Sequence, residues 1–508
     1  MTVYLEFHPD QVQKYLTRWS DLKGRRGAST MLRHATSDEV ITPLIPPGAS
    51  INDSAPKVDG VVSLIVNDVD QAEAVEARIL SHLRNQCPSA TFHTAVAEVD
   101  SHSPEQYLAA WRNVIEPKVI NGLSTVALPS PNELPTAKRC RLTGRDICIG
   151  ARIVSSQEPH LMGADAFARV RSADWRNSRH EESLSALELE DRLALKVDFR
   201  KDQIADAEVR DFNALAALGP PDQKQNHLAT IFIDGNNIGE LVEDHTGGEL
   251  VALSKRLADA TWEALAVATH KVCEITDQGP DGSRGQQLPV IPHIVGGDDV
   301  LVTVPAFTAT AFTRSYLEVF AAAMAGFQFA DGSAVSASGG VVVHHAKFPF
   351  TQVAPIAADT LKAAKAANQG NEAALLLVET TREVVNDPHI DDVWPLTEFV
   401  QPQLLDGIAL LPKSTRAALE GALSDWRESR TRDKSSPASG DVAWLAAART
   451  MAILDRAPAG DLPAIARASF KYFDQQFKKL RQHPAGSSNP EPELRRLSKT
   501  LQITRWWS

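Results

Sequence analysis

The segment from Asn226 to Thr380 alternates short apolar runs with longer amphipathic ones, and this alternation limits the folds open to the chain. The runs LATIFID, LPVIPHIV, DVLVTV, AVSASGGVVVHH and AALLLV have the length and composition of buried strands. Helical runs separate them, and in the first of these the apolar residues recur at spacings of three and four: Leu253, Leu257, Ala260 and Ala264. The order strand, helix, hairpin, helix, strand, helix, strand predicts an α/β domain with helices packed on one sheet.

The N-terminal part repeats this order of elements in a weaker form. TVYLEF, DGVVSLIV and ATFHTAVAEV are strand-like, and the long helical region after the first of them is expected to break near Gly24 and Gly27. Pro-rich and Gly-rich stretches, PSPNELP and GPPDQKQNH, separate this part from the segment described above. The N-terminal copy lacks matching acids, since Glu6, His8 and Asp10 do not reproduce the acidic pattern of the second segment.

The composition excludes several classes of protein. A net charge of −12 argues against nucleic-acid binding through bulk positive charge, so any such contact needs a local basic patch. The N-terminus shows no secretory signal, and no apolar stretch is long enough to span a membrane. The cysteines are few and scattered: Cys87, Cys140, Cys148 and Cys273. That usage fits a reducing cytoplasm better than a disulfide framework. The lack of a long apolar stretch predicts that the protein has no membrane partner.

Three acids stand where predicted strands end. Asp234 follows a buried strand, and Asp298 and Asp299 lie on a tight hairpin after Gly296 and Gly297, whose freedom of backbone angle suits such a turn. If the hairpin strands neighbour the Asp234 strand, the three carboxylates converge. Hard oxygen ligands of this kind suit Mg²⁺ or Mn²⁺ shared with substrate phosphates.

Two further features fit a nucleoside triphosphate. The turn Gly235-Asn236-Asn237-Ile238-Gly239 opens into a helix, and its backbone N–H groups could hold phosphate oxygens. Lys362 and Lys365 lie three residues apart on a later helix, and therefore on one face. Taken alone, the Gly-Asn-Asn-Ile-Gly segment is more often a plain turn, and the Gly-Gly-Asp-Asp segment a surface hairpin. The two lysines alone are more often part of a solvated helix face. Their combination, in this order and on these elements, favours a metal-dependent nucleotide site.

At these residues the sequence resembles the palm polymerase of type III CRISPR large subunits. This Csm and Cmr large-subunit family makes cyclic oligoadenylates and shares its palm with diguanylate (GGDEF-type) cyclases. The resemblance rests on FIDGNNIG, VGGDDVLV, SASGGVVVHHAKFPF and LKAAKAANQGNEAALLLV. In addition, DQVQKYLTRWSDLKGRRGASTML resembles the opening of the family's degenerate first palm, and CRLTGR resembles what remains of its metal-binding linker.

The resemblance implies an α/β fold of the palm type, α+β and ferredoxin-like, as in GGDEF-like nucleotide cyclases. It also implies four parts: a degenerate first palm (1–128), a linker with a helical or zinc-ribbon remnant (129–222), a second palm with the Gly-Gly-Asp-Asp site (223–382), and a helical C-terminal domain (383–508). The first palm is expected to be catalytically silent because it carries no matching acids.

The function implied by the resemblance is nucleotidyl transfer. A ribose hydroxyl would attack the α-phosphate of ATP or another nucleoside triphosphate, release pyrophosphate and build a cyclic oligonucleotide signal for antiviral defence. Asp234, Asp298 and Asp299 would bind Mg²⁺ or Mn²⁺, Lys365 would contact the triphosphate, and Asn237 the base or sugar. The other expected nucleotide-binding residues are Gly235, Asn236, Gly239, Gly296, Gly297 and Lys362.

The sequence departs from the family pattern at three points. Asn236 stands where the family's first motif usually has Asp, which leaves one fewer carboxylate for a metal. The linker has too few cysteines for the family's zinc site. No His-Asp dipeptide occurs, so DNA cleavage through the family's nuclease domain is not expected.

Two other functions stay open. The chain could be a scaffold subunit of an RNA-guided CRISPR effector complex, with a weak palm and contacts to other effector subunits and to guide or target RNA. Basic residues of the last helices would then matter: Lys471, Lys478, Lys479, Arg481, Arg495, Arg496, Lys499 and Arg505. A solvated helix face explains the same residues equally well. Alternatively, the chain could be a stand-alone nucleotide cyclase independent of guide RNA.

Overall fold

A computed structural model describes residues 2–506 of the chain apart from two sets of positions. The longer gaps are 56–59, 121–137, 153–158, 177–188, 219–225, 279–285, 381–392, 433–437, 457–462 and 482–488. The shorter ones are 11, 17, 20–21, 145, 201–202, 210, 246 and 400–401.

The N-terminal region folds around an antiparallel sheet with the strand order β2-β3-β1-β4. Its strands are β1 (Thr2–Pro9), β2 (Ser50–Ile51), β3 (Val62–Val66) and β4 (Phe92–Val99). The α-helices of this region are α1 (Val12–Leu16), α2 (Leu22–Thr36), α3 (Asp38–Ile41), α4 (Val69–Gln86), α5 (Pro104–Ala110) and α6 (Glu116–Ile120), with a π-helical turn at Trp111–Ile115. Val3, Leu5 and Phe7 alternate along β1 and pack in one core with residues of α2 and α4.

The predicted helix break near Gly24 and Gly27 is wrong, because α2 runs through both glycines. Their role is close packing. A Cβ at Gly24 would lie 2.3 Å from the Trp19 ring, and one at Gly27 would lie 2.0 Å from the carbonyl oxygen of Arg169. The glycines therefore serve contacts that are distant in the sequence, which a local reading of helix propensity does not reveal.

A connecting region links the two sheets. It contains a small hairpin, β5 (Gly150–Arg152) and β6 (His160–Met162), and the helices α7 (Ala164–Arg176), α8 (Leu189–Lys196), α9 (Ile204–Ala207) and α10 (Phe212–Ala216). Cys140 is buried with Trp19 and Met162, and the Cys148 thiol contacts the Gly150 carbonyl at 3.0 Å. Both cysteines are free thiols in the structure.

The second sheet has the strand order β12-β11-β10-β7-β9-β8. Its strands are β7 (His227–Gly235), β8 (Ile291–Gly296), β9 (Asp299–Pro305), β10 (Ala337–His345), β11 (Ala374–Glu379) and β12 (Trp394–Pro395). The helices between them are α11 (Ile238–Asp244), α12 (Gly247–Thr276), α13 (Ala309–Ala323) and α14 (Phe350–Ala366). Only the β10–β11 pair is parallel among the paired strands described here.

The two faces of this sheet carry different helices. Ala229, Ile231 and Ile233 of β7 belong to the main core together with residues of α12 and α13. Phe232, on the opposite face, packs with residues of α14. Because side chains alternate along a strand, Asp234 falls on the α14 face of the sheet.

The C-terminal region is helical, with α15 (Leu396–Phe399), α16 (Pro402–Ala409), α17 (Lys413–Arg432), α18 (Ala438–Arg456), α19 (Ala464–Arg481) and α20 (Glu491–Thr504). Its helices share a core that includes Leu423, Trp426 and Phe473. The end of α20 docks on the second sheet: Arg505 pairs with the buried Glu379 at 3.0 Å, and the Gln502 amide donates to the Leu377 carbonyl at 3.1 Å.

Several members of the predicted basic set have partners within the protein. Lys478 pairs with Asp474 at 2.7 Å, and Arg495 with Glu491 at 2.9 Å. Lys499 donates to the Val393 carbonyl at 2.6 Å. Together with the Arg505 pair, these contacts neutralise or occupy half of the set, which weakens its interpretation as an open RNA-binding patch.

The predicted fold class is confirmed: the chain combines α/β sheets of the palm type with a helical C-terminal region. The domain boundaries at residues 128, 222 and 382 stay predictions. Among the described helices, none is both long and apolar enough to cross a membrane.

Candidate active site

Strand pairing brings the predicted acids to one end of the second sheet. β9 lies between β7 and β8, with Ile233 opposite Val300 and Gly296 opposite Asp299. The tip of the β8–β9 hairpin therefore lies beside the end of β7, where Asp234 stands. The predicted convergence depended on this neighbour relationship, and the structure has it.

The three carboxylates repel one another. Burial, followed by the charge of Asp234, raises the pKa of Asp298 to about 7 and the pKa of Asp299 to about 8. A hydrogen bond with Asp234 also raises the pKa of both acids. Such a cluster stores unfavourable electrostatic energy that a bound cation would relieve.

Gly235 makes room for this cluster. A Cβ at this position would lie 2.7 Å from Oδ2 of Asp298 and 2.4 Å from the Ile238 side chain. Only a residue without a side chain lets the hairpin acid approach the end of β7 so closely. The predicted role of Gly235 as a nucleotide-binding residue stays a prediction, beside this observed packing role.

The two lysines of α14 differ in their surroundings. Lys365 forms an ion pair with Asp234, and its ammonium also donates to the Gly235 carbonyl at 2.6 Å. Lys362 is exposed, and among the described residues it has no hydrogen-bond or ion-pair partner. The structure thus places Lys365, but not Lys362, at the acids.

Asn236 is buried, with 1% of its surface exposed. Its amide Nδ2 donates to Ser336 Oγ at 2.8 Å and to the Glu372 carbonyl at 3.1 Å. Its Oδ1 has no hydrogen-bond partner among the described residues. The side chain thus ties the turn after β7 to the start of β10 and to the loop after α14. Its contact with a nucleotide stays a prediction.

Asn237 takes up the left-handed backbone conformation at φ 53° as α11 begins. Its amide donates to the Gln369 carbonyl at 3.4 Å, and a Cβ at Gly370 would lie 2.8 Å from its Oδ1. Gly239 is exposed, and a Cβ there would meet no atom within 4 Å. These residues line the side of the site near α14, and their contacts with a nucleotide stay predictions.

Gly296 and Gly297 form the exposed tip of the hairpin. Gly297 has φ 60°, a conformation that favours glycine, and a Cβ at either position would meet no atom within 4 Å. The two Cβ positions at the tip are therefore open in the part of the chain that the structure describes. A phosphate group could approach the backbone there.

The equivalent strand of the N-terminal sheet is organised differently. Glu6 is fully buried and accepts hydrogen bonds from Ser63 at 2.8 Å and Tyr107 at 2.6 Å, while His8 lies 2.6 Å from its other oxygen. These partners satisfy the carboxylate inside the protein. The arrangement agrees with the prediction of a silent first palm, which itself remains to be tested.

The acids fit a divalent ion by the chemistry of their donor atoms. Mg²⁺ usually binds through one or two carboxylates, with waters and substrate phosphates completing its shell. In the described part of the chain, no group of three or more His, Cys, Asp or Glu side chains is already arranged as a metal cluster. The site therefore fits an ion shared with a substrate better than an ion enclosed by protein.

Sequence reasoning missed residues that position the site from a distance. A Cβ at Gly340 of β10 would lie 2.6 Å from the Ala357 carbonyl oxygen, so this glycine lets α14, and hence Lys365, lie close to the sheet. Two glycines inside a strand pattern are a signal of such close approach. Arg112, in the π-helical turn, donates to the carbonyls of Val242 and His245 at 2.6 and 2.9 Å, and no local signal identifies it.

Comparison with known proteins agrees with this geometry. Residues 227–374, which include the acids and Lys365, match the family described as Cas10/Cmr2, second palm domain. This segment is therefore similar to the second palm domain of the type III CRISPR large subunits. No curated protein matches the chain significantly in sequence.

Solved structures of the family share the fold. The Csm1–Csm4 cassette in complex with cA4 aligns with a TM-score of 0.57 and 13% identity over 99% of the chain described here and 69% of the other chain. Csm1 from T. onnurineus aligns with a TM-score of 0.56 and 14% identity over 99% and 69%. A Csm1–Csm4 cassette in complex with AMPPNP aligns with a TM-score of 0.52 and 14% identity over 87% and 64%.

Proposed function

We propose that the second palm is a Mg²⁺-dependent nucleotidyltransferase that converts ATP, or another nucleoside triphosphate, into a cyclic oligonucleotide signal in type III CRISPR defence. The observation that carries this proposal is the meeting of Asp234, Asp298 and Asp299 at one end of the sheet, with Lys365 beside them. Solved relatives of the same fold hold AMPPNP, pppApApA and cA4. Those compounds correspond to a substrate analogue, a linear intermediate and a cyclic product of such a reaction.

In this proposal, each residue has a separate task. Asp298 and Asp299, with Asp234, would hold Mg²⁺ (or Mn²⁺), which neutralises phosphate charge and favours ionisation of the attacking hydroxyl. Lys365 would leave Asp234 for the triphosphate, where its point charge binds phosphate oxygens. The open tip at Gly296 and Gly297 admits the phosphates. A ribose oxygen then bonds to the α-phosphorus, the hydroxyl proton passes to solvent, and the bond to the departing pyrophosphate breaks.

Labelled ATP and Mg²⁺ test the proposal directly. The protein is incubated alone, and within an effector complex supplied with target RNA, and the products are separated by chromatography. Asp298→Asn/Asp299→Asn should abolish product and metal-dependent ATP binding. Asp331→Asn, which changes an exposed acid of the loop between α13 and β10, is the matched control and should leave both intact. ATP binding that survives the double change would place the nucleotide elsewhere.

The scaffold function is the second candidate, and the likeness to Csm1–Csm4 cassettes favours it as far as partners are concerned. We propose that the chain joins other CRISPR effector subunits, with guide or target RNA, in the cytoplasm. If the effector complex forms but yields no nucleotide product at any Mg²⁺ concentration, the scaffold function replaces catalysis. Product from the pure chain without RNA would instead indicate a stand-alone cyclase.

We also propose the four-part division at residues 128, 222 and 382, with the reaction confined to the second palm. Two observations support it: Glu6 is satisfied inside the first sheet, and the acids gather only at the second sheet in the described part of the chain. Glu6→Gln should leave turnover nearly intact if the protein stays folded. A loss as large as that of the Asp298 change would overturn the division.

A further inference from the structure

A buried threonine of α12 is hydrogen bonded to the acid-bearing turn. Thr261 is 1% exposed, and its hydroxyl donates to the Gly297 carbonyl at 2.8 Å. Gly297 itself is exposed and has no close neighbour at its Cβ position. The hydrogen bond therefore connects the helix layer directly to the residue that precedes Asp298.

We propose that Thr261 is a positioning residue that holds the turn carrying Asp298 and Asp299 in its cation-binding arrangement. Its hydrogen bond fixes the Gly297 carbonyl in the metal-free protein. This inference rests on the proposed metal site and extends it to a residue that does not itself bind the metal.

Mn²⁺ binding, measured by calorimetry on the full chain without nucleotide, tests the proposal. Thr261→Val keeps the shape and removes the donor, and it should weaken Mn²⁺ binding about tenfold, as expected for one buried hydrogen bond. Thr261→Ser keeps the donor and should restore most of the affinity. Thr269→Val is the matched control, because Thr269 is buried in the same helix and donates to the Leu265 carbonyl within it. Equal Mn²⁺ affinities in the Thr261→Val and Thr269→Val proteins would overturn the role of Thr261.

If wild type itself binds no Mn²⁺, the proposed metal site fails as well, so the failure of that site and the failure of the Thr261 role are distinguishable.

Discussion

Lys365 and Asp234 form an ion pair at the end of β7, although 131 positions separate them in the sequence. The lysine ammonium also donates to the Gly235 carbonyl, so it is held by two oxygens of the predicted metal-binding edge. In the metal-free protein a side-chain cation therefore balances part of the charge of the acid cluster. A metal ion would therefore compete with Lys365 for Asp234. A triphosphate would instead compete with Asp234 for the Lys365 ammonium.

Lys365→Met separates these two effects. Without the ammonium, Mn²⁺ no longer competes with a lysine for Asp234, so its binding in the absence of nucleotide should tighten a few-fold at pH 8.5. The triphosphate loses a positive charge, and its metal-dependent binding should weaken at least about tenfold, roughly 1.4 kcal/mol. Calorimetry with Mn²⁺ alone and with ATP measures both. Lys362→Met, at an exposed position of the same helix, should change neither, and looser Mn²⁺ binding in Lys365→Met would contradict the competition.

Metal binding should depend on pH. The pKa of Asp298 is raised to about 7 and the pKa of Asp299 to about 8, first by burial and then by the charge of Asp234. Below these values the acids hold protons that a metal must displace. The Mg²⁺ or Mn²⁺ affinity should therefore rise steadily from pH 6 to pH 8.5. A flat profile over this window would show that these two carboxyls are not the ligands.

The same shifts predict how the metal-free protein loses stability. A raised carboxyl pKa means that the folded state keeps protons which the unfolded state has lost, so stability falls as pH rises from about 4 towards 8. Asp299→Asn removes one repelling charge and should flatten this fall. Thermal unfolding in EDTA at pH 5 and pH 8 measures it. The unfolding temperature of the variant should exceed that of wild type mainly at pH 8. An equal increase at pH 5 and at pH 8 would point to a cause other than charge.

Much of the site could be predicted from the sequence because its chemistry is local. Asp234 ends a strand, Asp298 and Asp299 follow two glycines, and the period of the apolar residues places these motifs at strand ends. The pairing of β7 with β9, on which their convergence depends, is seen only in the structure. Helical spacing put Lys362 and Lys365 on one face but did not tell which of the two reaches the acids.

Other features depend on contacts that no local pattern encodes. The direction of Asn236 is set by Ser336, 100 positions away, and by the Glu372 carbonyl. Gly24 of α2 leaves room for the Trp19 ring, which would lie 2.3 Å from a Cβ at that position, and the hydrogen bond from Thr261 to Gly297 joins residues 36 positions apart. Tertiary packing determines each of these features. They could therefore not be predicted from the period of the apolar residues or from helix propensity.

Asn236→Asp tests the departure from the family motif. The Asn236 amide donates two hydrogen bonds that a carboxylate cannot donate, and it does so in a buried place. Losing them and placing a charge beside the Glu372 carbonyl should destabilise the protein by about 1–3 kcal/mol, without tightening Mg²⁺ binding. Urea unfolding and a Mg²⁺ titration of both proteins check this. Asn237→Asp, at the start of α11, is the control and should be tolerated; tighter Mg²⁺ binding in Asn236→Asp would mean that residue 236 faces the ion.

Gly235→Ala tests whether the approach of the hairpin to β7 is required. The added methyl group would lie 2.7 Å from Oδ2 of Asp298 and 2.4 Å from Ile238, and both distances are too short for carbon. The hairpin tip or the turn after β7 must shift, so the acids should separate and Mn²⁺ binding should weaken about tenfold or more, with a stability loss of about 1–3 kcal/mol typical of overpacking.

Gly239→Ala is the matched control, because it adds the same methyl group on α11 where no atom lies within 4 Å. That change should leave Mn²⁺ binding intact and stabilise the helix slightly, since alanine loses less backbone freedom on folding than glycine. Calorimetry and thermal unfolding of the two variants side by side provide the comparison, and equal Mn²⁺ affinities would show that the metal site does not need the close approach of Asp298 to Gly235.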